Sequence, residues 1–156
     1  MKKGKLIVKL LLVGLVIGGG GFAYVWFMPH RDVQKSAIDI TISADDLVNE
    51  YLNDAEKSNN KYLQTEGDSK ILAVTGIVNA IEEDMNHQKV IYLNSPTEAK
   101  VSCTFMEATN HSTDKVKAGD KVTIKGVIRA GASYDEDLEM YEDVIMEKCD
   151  IINIKE

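Results

Sequence analysis

Leu6 to Met28 reads LIVKLLLVGLVIGGGGFAYVWFM, a run of 23 residues with a single charge at Lys9. A bilayer core of about 30 Å is crossed by roughly 20 apolar residues rising about 1.5 Å each. The run therefore predicts one membrane-spanning helix. Lys9 stands near its start, where its aliphatic stem reaches back to the head groups. Lys2, Lys3 and Lys5 precede it, and no acid occurs before Asp32. That asymmetry predicts a cytoplasmic N-terminus and an extracytoplasmic remainder, with Tyr24, Trp26 and Phe27 at the far interface. A cleaved signal peptide requires small residues at its cleavage site. Tyr24-Val25-Trp26-Phe27-Met28 is bulky at that place, and no Cys lies nearby to accept a lipid. The expected organisation is a cytoplasmic tail (1–5), a transmembrane helix (6–28), a linker (29–42) and an exported domain (43–156).

Charge narrows the partners. The chain has 18 bases and 25 acids, and five of the bases (Lys2, Lys3, Lys5, Lys9 and Arg31) precede Asp32. The exported part keeps 13 bases against all 25 acids, a net charge of −12. Such a surface repels nucleic acid and anionic lipid, and it keeps a domain soluble.

Past the linker, Ile38, Ile40 and Ile42 alternate with polar residues and predict a short extended piece that docks on the domain. Ser43 with Asp46 forms a start resembling a capping box. Leu47, Val48, Tyr51, Leu52 and Ala55 recur at helical spacing, predicting an amphipathic helix that ends near Asn59-Asn60. After Gly67 the period changes to two. Ile71 to Ile81 predicts a long strand bent at Gly76, Glu82 to His87 a turn, and Lys89 to Leu93 a second strand. Ala99 to Phe105 predicts a third strand and Lys121 to Arg129 a fourth. Ala130 to Glu142 reads as a loop. Asp143 to Ile154 reads as the last strand, with an apolar parity that slips near Lys148.

This order, a glycine-bent strand, a hairpin, a third strand, a short connection and two more strands, is that of an OB-fold. The segments Leu47 to Tyr51, Lys61-Tyr62-Leu63, Val74-Thr75-Gly76-Ile77-Val78, Val101-Ser102-Cys103, Lys117 to Gly126 and Lys148-Cys149 together resemble the bacterial tRNA-anti-like OB-fold family. Its members are small exported proteins, often lipoproteins or membrane-anchored. The expected fold is mainly β: a five-stranded Greek-key OB barrel preceded by the amphipathic helix and the transmembrane helix. The resemblance also implies a bacterial cell-membrane protein, and it makes the third and fifth strands neighbours. Cys103 on the third and Cys149 on the fifth, 46 positions apart, are then expected to form a disulfide in the oxidising compartment. In the chain-entropy model that bond is worth about 4 kcal/mol.

OB-folds bind single strands on the second and third strands and on the loops between strands 1 and 2 and between strands 4 and 5. Here the first loop region carries Glu82, Glu83 and Asp84, and the second carries Tyr134, Asp135, Glu136 and Asp137. Tyr92 offers a stacking surface, and Phe105 falls on the core parity. These eight residues, from Glu82 to Asp137, are the candidate binding residues. Carboxylates stand where phosphates would lie, so nucleic acid is disfavoured as a partner. Asp135 to Asp143 lacks EF-hand spacing, and His30, His87 and His111 lack ligand spacing, so no metal or other cofactor is expected. No nucleophile, zinc or phosphate-loop motif occurs. The expected function is a membrane-anchored, non-enzymatic binding module for a protein or small ligand. The alternatives are a single-strand-binding OB-fold, or an enzyme whose site is built from the acidic loops.

Overall fold

The computed structural model describes residues 32–63 and 69–155. The expected transmembrane helix and cytoplasmic tail lie outside them. Among the described residues no helix is long and apolar enough to cross a membrane.

Residues 32–36 form a turn in which the Asp32 carboxylate accepts from the amides of Gln34 and Lys35. Strand β1 (Ile40–Ser43) follows and pairs in parallel with β2 (Ile71–Glu83), from Ile40 opposite Leu72 to Ser43 opposite Thr75. This is the extended piece read at Ile38 to Ile42. Ser43 Oγ then accepts from the Asp46 amide at 3.0 Å and donates to the Asp46 carboxylate at 2.7 Å. That reciprocal cap starts helix α1 (Ala44–Asn53), which buries Ala44, Leu47, Val48 and Tyr51 along one face.

The expected single helix is in fact two. Asp54 leaves the helical region at φ −158°, and its carboxylate caps Lys57 N at 3.0 Å, starting α2 (Ala55–Tyr62). Short acidic side chains compete in this way for backbone amides and so break helices. Glu50 on α1 accepts from Lys61 Nζ at 2.8 Å and from the Tyr62 hydroxyl at 2.7 Å, fastening the two helices together.

Five strands close the barrel. They are β2 (Ile71–Glu83), β3 (Lys89–Leu93), β4 (Val101–Phe105), β5 (Lys121–Ala130) and a last strand, Val144–Lys155. Between β5 and the last strand, the segment read as a loop contains a small hairpin of β6 (Ser133–Asp135) and β7 (Met140–Glu142), so the last strand is β8. A 3-10 turn at Asn110–Lys115 connects β4 to β5. The first half of β2 pairs with β5, and the second half pairs with β3. The bend lies at Gly76, where a Cβ would stand 3.0 Å from Ala44 Cβ and 3.1 Å from Leu93 Cβ. Glycine therefore lets α1 seat against the barrel. Closure comes from β4 and β8, which run parallel, and from β5, which runs antiparallel to both β2 and β8.

The slip in parity on the last strand is a bulge. Lys148 adopts φ 55°, and pairing jumps from Cys103 opposite Met146 to Phe105 opposite Cys149. The extra residue returns Cys149 to the inner face beside Val144 and Met146. Side chains from elsewhere satisfy carbonyls at the bulge. Gln34 Nε2 donates to Lys148 O at 2.5 Å, and Thr109 Oγ1 donates to Cys149 O at 2.7 Å.

Lys125 is the one charged side chain among the buried residues described. It points out of β5 under residues 32–36, and its ammonium donates to Gln34 O at 2.8 Å and Ser36 O at 2.5 Å. These charge-assisted bonds hold the segment expected as a linker against the barrel wall. We expect Lys125→Met to lower stability by about 1–2 kcal/mol and to speed amide exchange across residues 32–39. Unchanged exchange there, measured by mass spectrometry, would show that the segment is held by other contacts.

Candidate binding face

Outward positions on the barrel follow from the inward ones. Ile91 and Leu93 on β3, and Val101, Cys103 and Phe105 on β4, belong to the core. Their neighbours face out and line up across the sheet. One row is Ala80, Tyr92, Ser102 and Ile145, each opposite the next. The next row is Glu82, Val90 and Thr104, of which Val90 is buried despite its outward parity. Together the two rows hold one carboxylate and no base.

Tyr92 is half-buried at the centre of this face. Burial raises the pKa of its hydroxyl, and the nearby carboxylates of Glu82 and Asp143 raise it further. The sheet thus brings Tyr92 and Glu82, both expected site residues, together with Asp143, which sequence reasoning placed in no site. Asp143 is fixed because its Oδ1 accepts from Lys100 N at 2.7 Å.

The other candidates separate. Glu83 ends β2 beside the hairpin turn, accepting from Lys89 Nζ at 2.7 Å, with His87 Nδ1 also 2.7 Å away. The Lys89 hydrogen bond, then that of His87, holds the Glu83 carboxyl below its usual range. Asp84 is spent on the turn itself, since its Oδ1 accepts from Asn86 N at 2.8 Å and Gln88 N at 2.9 Å. Asp135 does the same in the second hairpin, accepting from the amides of Asp137 and Leu138. Glu136 and Asp137 are exposed at its tip. Tyr134 packs on Tyr141 with centroids 4.9 Å apart. Among the described residues no group of three His, Cys, Asp or Glu side chains could hold a metal ion.

Next to Ile145 the outward row opens into a groove of about 660 Å³. Leu138, Met140 and Tyr141 of the β6–β7 hairpin line it, together with Glu98, Lys100 and Asp143. None of these residues was a candidate from sequence. Met140-Tyr141-Glu142 shows no apolar–polar alternation, and three residues between acidic turns are too few to distinguish from a loop.

The cysteines correct the expected disulfide. Cys103 and Cys149 are neighbours in the core, as the strand order required, but both are free thiols and fully buried. An exported location permits a disulfide without requiring one, and buried cysteines pack well as small apolar groups. Burial first, and the neighbouring Cys103 second, raise the Cys149 thiol well above its usual range. Burial also pushes Tyr51 up to about 12, with Tyr62 and Glu50 adding to it. In each case the native state keeps a proton that the unfolded chain releases, so the stabilisation is complete below the unfolded pKa and is lost as pH rises beyond it. We therefore expect two reactive thiols in denatured, unreduced protein and none in native protein. We also expect a urea midpoint that falls above about pH 9, and further once tyrosines ionise near about pH 10. Thiol titration and denaturation at several alkaline pH values check both; a flat midpoint would contradict the burial argument.

Comparison with known proteins places this barrel. No curated protein matches the chain. Among solved structures, the chain is similar to a "putative nucleic acid-binding lipoprotein" from Klebsiella pneumoniae subsp. pneumoniae MGH 78578. The TM-score is 0.53 at 11% identity, covering 80% of this chain and 100% of that one. At that identity the likeness speaks for the fold alone, and the fold is the five-stranded barrel described above. The family model of the tRNA_anti-like proteins matches residues 1–137, and the chain belongs to that family.

Proposed function

We propose that the chain is a membrane-tethered, extracytoplasmic OB-fold module that binds a protein partner and catalyses no reaction. The single observation that carries this reading is the composition of the outward rows. An OB face that takes single strands needs bases to track phosphates and aromatics for stacking. This face offers Tyr92 for stacking but sets Glu82 and Asp143 around it, and Lys89 at its margin is already paired with Glu83. A half-buried aromatic with carboxylates about it suits a neutral or basic protein surface. The tether is the 23-residue apolar run at Leu6 to Met28, with the barrel on the far side from the lysine-rich end.

The test is titration of the full-length protein in detergent with fluorescent oligothymidine at low salt, where phosphate contacts are strongest. No binding is expected. Saturable binding that weakens steeply with salt would overturn the reading in favour of single-strand recognition, the role suggested by the name of the Klebsiella lipoprotein. Protease accessibility of the barrel in intact cells, compared with spheroplasts or lysates, tests its placement.

A further inference from the structure

We infer that the groove beside the β6–β7 hairpin is a docking site for an extended, basic segment of a partner protein, whose backbone pairs with β7. The inference rests on the protein-binding reading above and names the class of partner. Three observations meet at this place.

The first is shape. The groove holds about 660 Å³ and runs alongside Met140 and Tyr141 of β7. Strand β7 pairs with β6 on one side only, in a sheet of its own separate from the barrel. Among the described residues its other edge has no strand partner, so the few backbone donors and acceptors there are of the kind that extended peptides recognise by adding a strand.

The second is apolar surface out of place. Leu138 is 68% exposed, Met140 51% and Ile145 40%. All three line the same groove. A hairpin built for solvent alone would not bring Leu138 and Met140 into one groove with Ile145 of β8.

The third is charge. Gly131 to Asp143 contains six acids and no base. Within the groove, Glu98, Glu142 and Asp143 face one base, Lys100. Asp143 and Glu142 are positioned by hydrogen bonds from Lys100 N and Ser133 Oγ, and among the described residues neither forms an ion pair. Fixed, unneutralised carboxylates around an apolar floor select a chain that alternates Lys or Arg with aliphatic residues. Alternation follows from the strand period of two, which sends one set of side chains onto Leu138 and Met140 and leaves the other for the acids.

The test uses full-length protein in detergent and three fluorescent probes. These are an oligopeptide alternating lysine with valine, its glutamate–valine counterpart, and oligothymidine. Anisotropy should show binding of the lysine peptide alone. Met140→Ser and Glu98→Lys alter exposed side chains, so both variants should keep the wild-type melting temperature. Each should weaken the lysine peptide about fivefold or more, as truncated anchors and reversed charges do. Added salt should reduce the effect of Glu98→Lys more than that of Met140→Ser. Failure of the lysine peptide to bind, or equal binding by wild type and both variants, overturns the groove as the site. Equal binding of the glutamate peptide overturns the basic character of the partner. Oligothymidine binding with no peptide binding overturns the broader protein-binding reading, so the two failures are distinguishable.

Discussion

Phe105→Ala should destabilise the domain by about 3–5 kcal/mol, the usual range for truncating a buried aromatic. Phe105 ends β4, is fully buried, and lies opposite Cys149 where the Lys148 bulge restores the inward register. Its ring fills the barrel where β4 and β8 run parallel. The surrounding groups come from closed-barrel strands paired on both sides, so they have little freedom to collapse into the space. A thermal midpoint lower by about 10 °C or more is the expected reading for a domain of this size. The same variant separates two roles for the residue. A core ring changes stability and leaves affinity at the outer face as it was, provided the measurement is made well below the new midpoint. A stacking ring would change affinity with little effect on melting. A loss under 1 kcal/mol by urea titration would show that the site relaxes or that the ring is not core.

Gly131→Ala should cost about 3 kcal/mol, near the upper end for overpacking. Gly131 follows β5 and leads into the β6–β7 hairpin. A Cβ added there would stand 2.0 Å from Tyr51 Cδ1 and Cε1. The Tyr51 ring cannot step aside easily. It is 2% exposed and stacks on Tyr62 at 5.9 Å. Relief requires either α1 to move off the barrel or the hairpin to swing outward. The second route would displace Met140 and Tyr141, so this substitution should also weaken whatever binds beside β7. Tyr51→Ala in the same chain removes the clash, although it opens a cavity of its own. If Gly131→Ala melts like the wild type, the contact between α1 and the hairpin root is looser than described. A double-mutant cycle with Tyr51 should give a large coupling, as contacting residues do.

The parts of this fold that can be read along the chain are those set by local rules. Period-two apolar positions in Val101 to Phe105 and Val122 to Ile128 mark strands because alternate side chains on a pleated strand face one core. Ser43 with Asp46 marks a helix start because the first amides of a helix need an acceptor. Gly76 marks a bend because only a missing Cβ admits Ala44 and Leu93 so closely. The irregular parity at Lys148 is visible as well, though its cause is not. A bulge is defined by the partner strand, and that partner lies more than 40 residues away at Cys103 to Phe105.

The candidate site was legible only in part, for the same reason. Composition identifies Glu82, Asp84 and Asp135 as acidic and turn-prone. It does not say that Asp84 and Asp135 turn their carboxylates onto their own backbone amides, because that depends on how each turn closes. It cannot bring Asp143 near Tyr92, since their proximity arises from β3 pairing with β4 and β4 with β8. Nor can spacing decide the state of the cysteines: adjacency of the third and fifth strands puts Cys103 and Cys149 together, while bond formation depends on side-chain geometry. Local chemistry along the chain settled the five barrel strands, the acidic character and the apolar N-terminal run, but not the break at Asp54 or the β6–β7 hairpin. The face, the groove and the thiol pair exist only once distant strands are in register, because each is made of residues that no short-range interaction brings together.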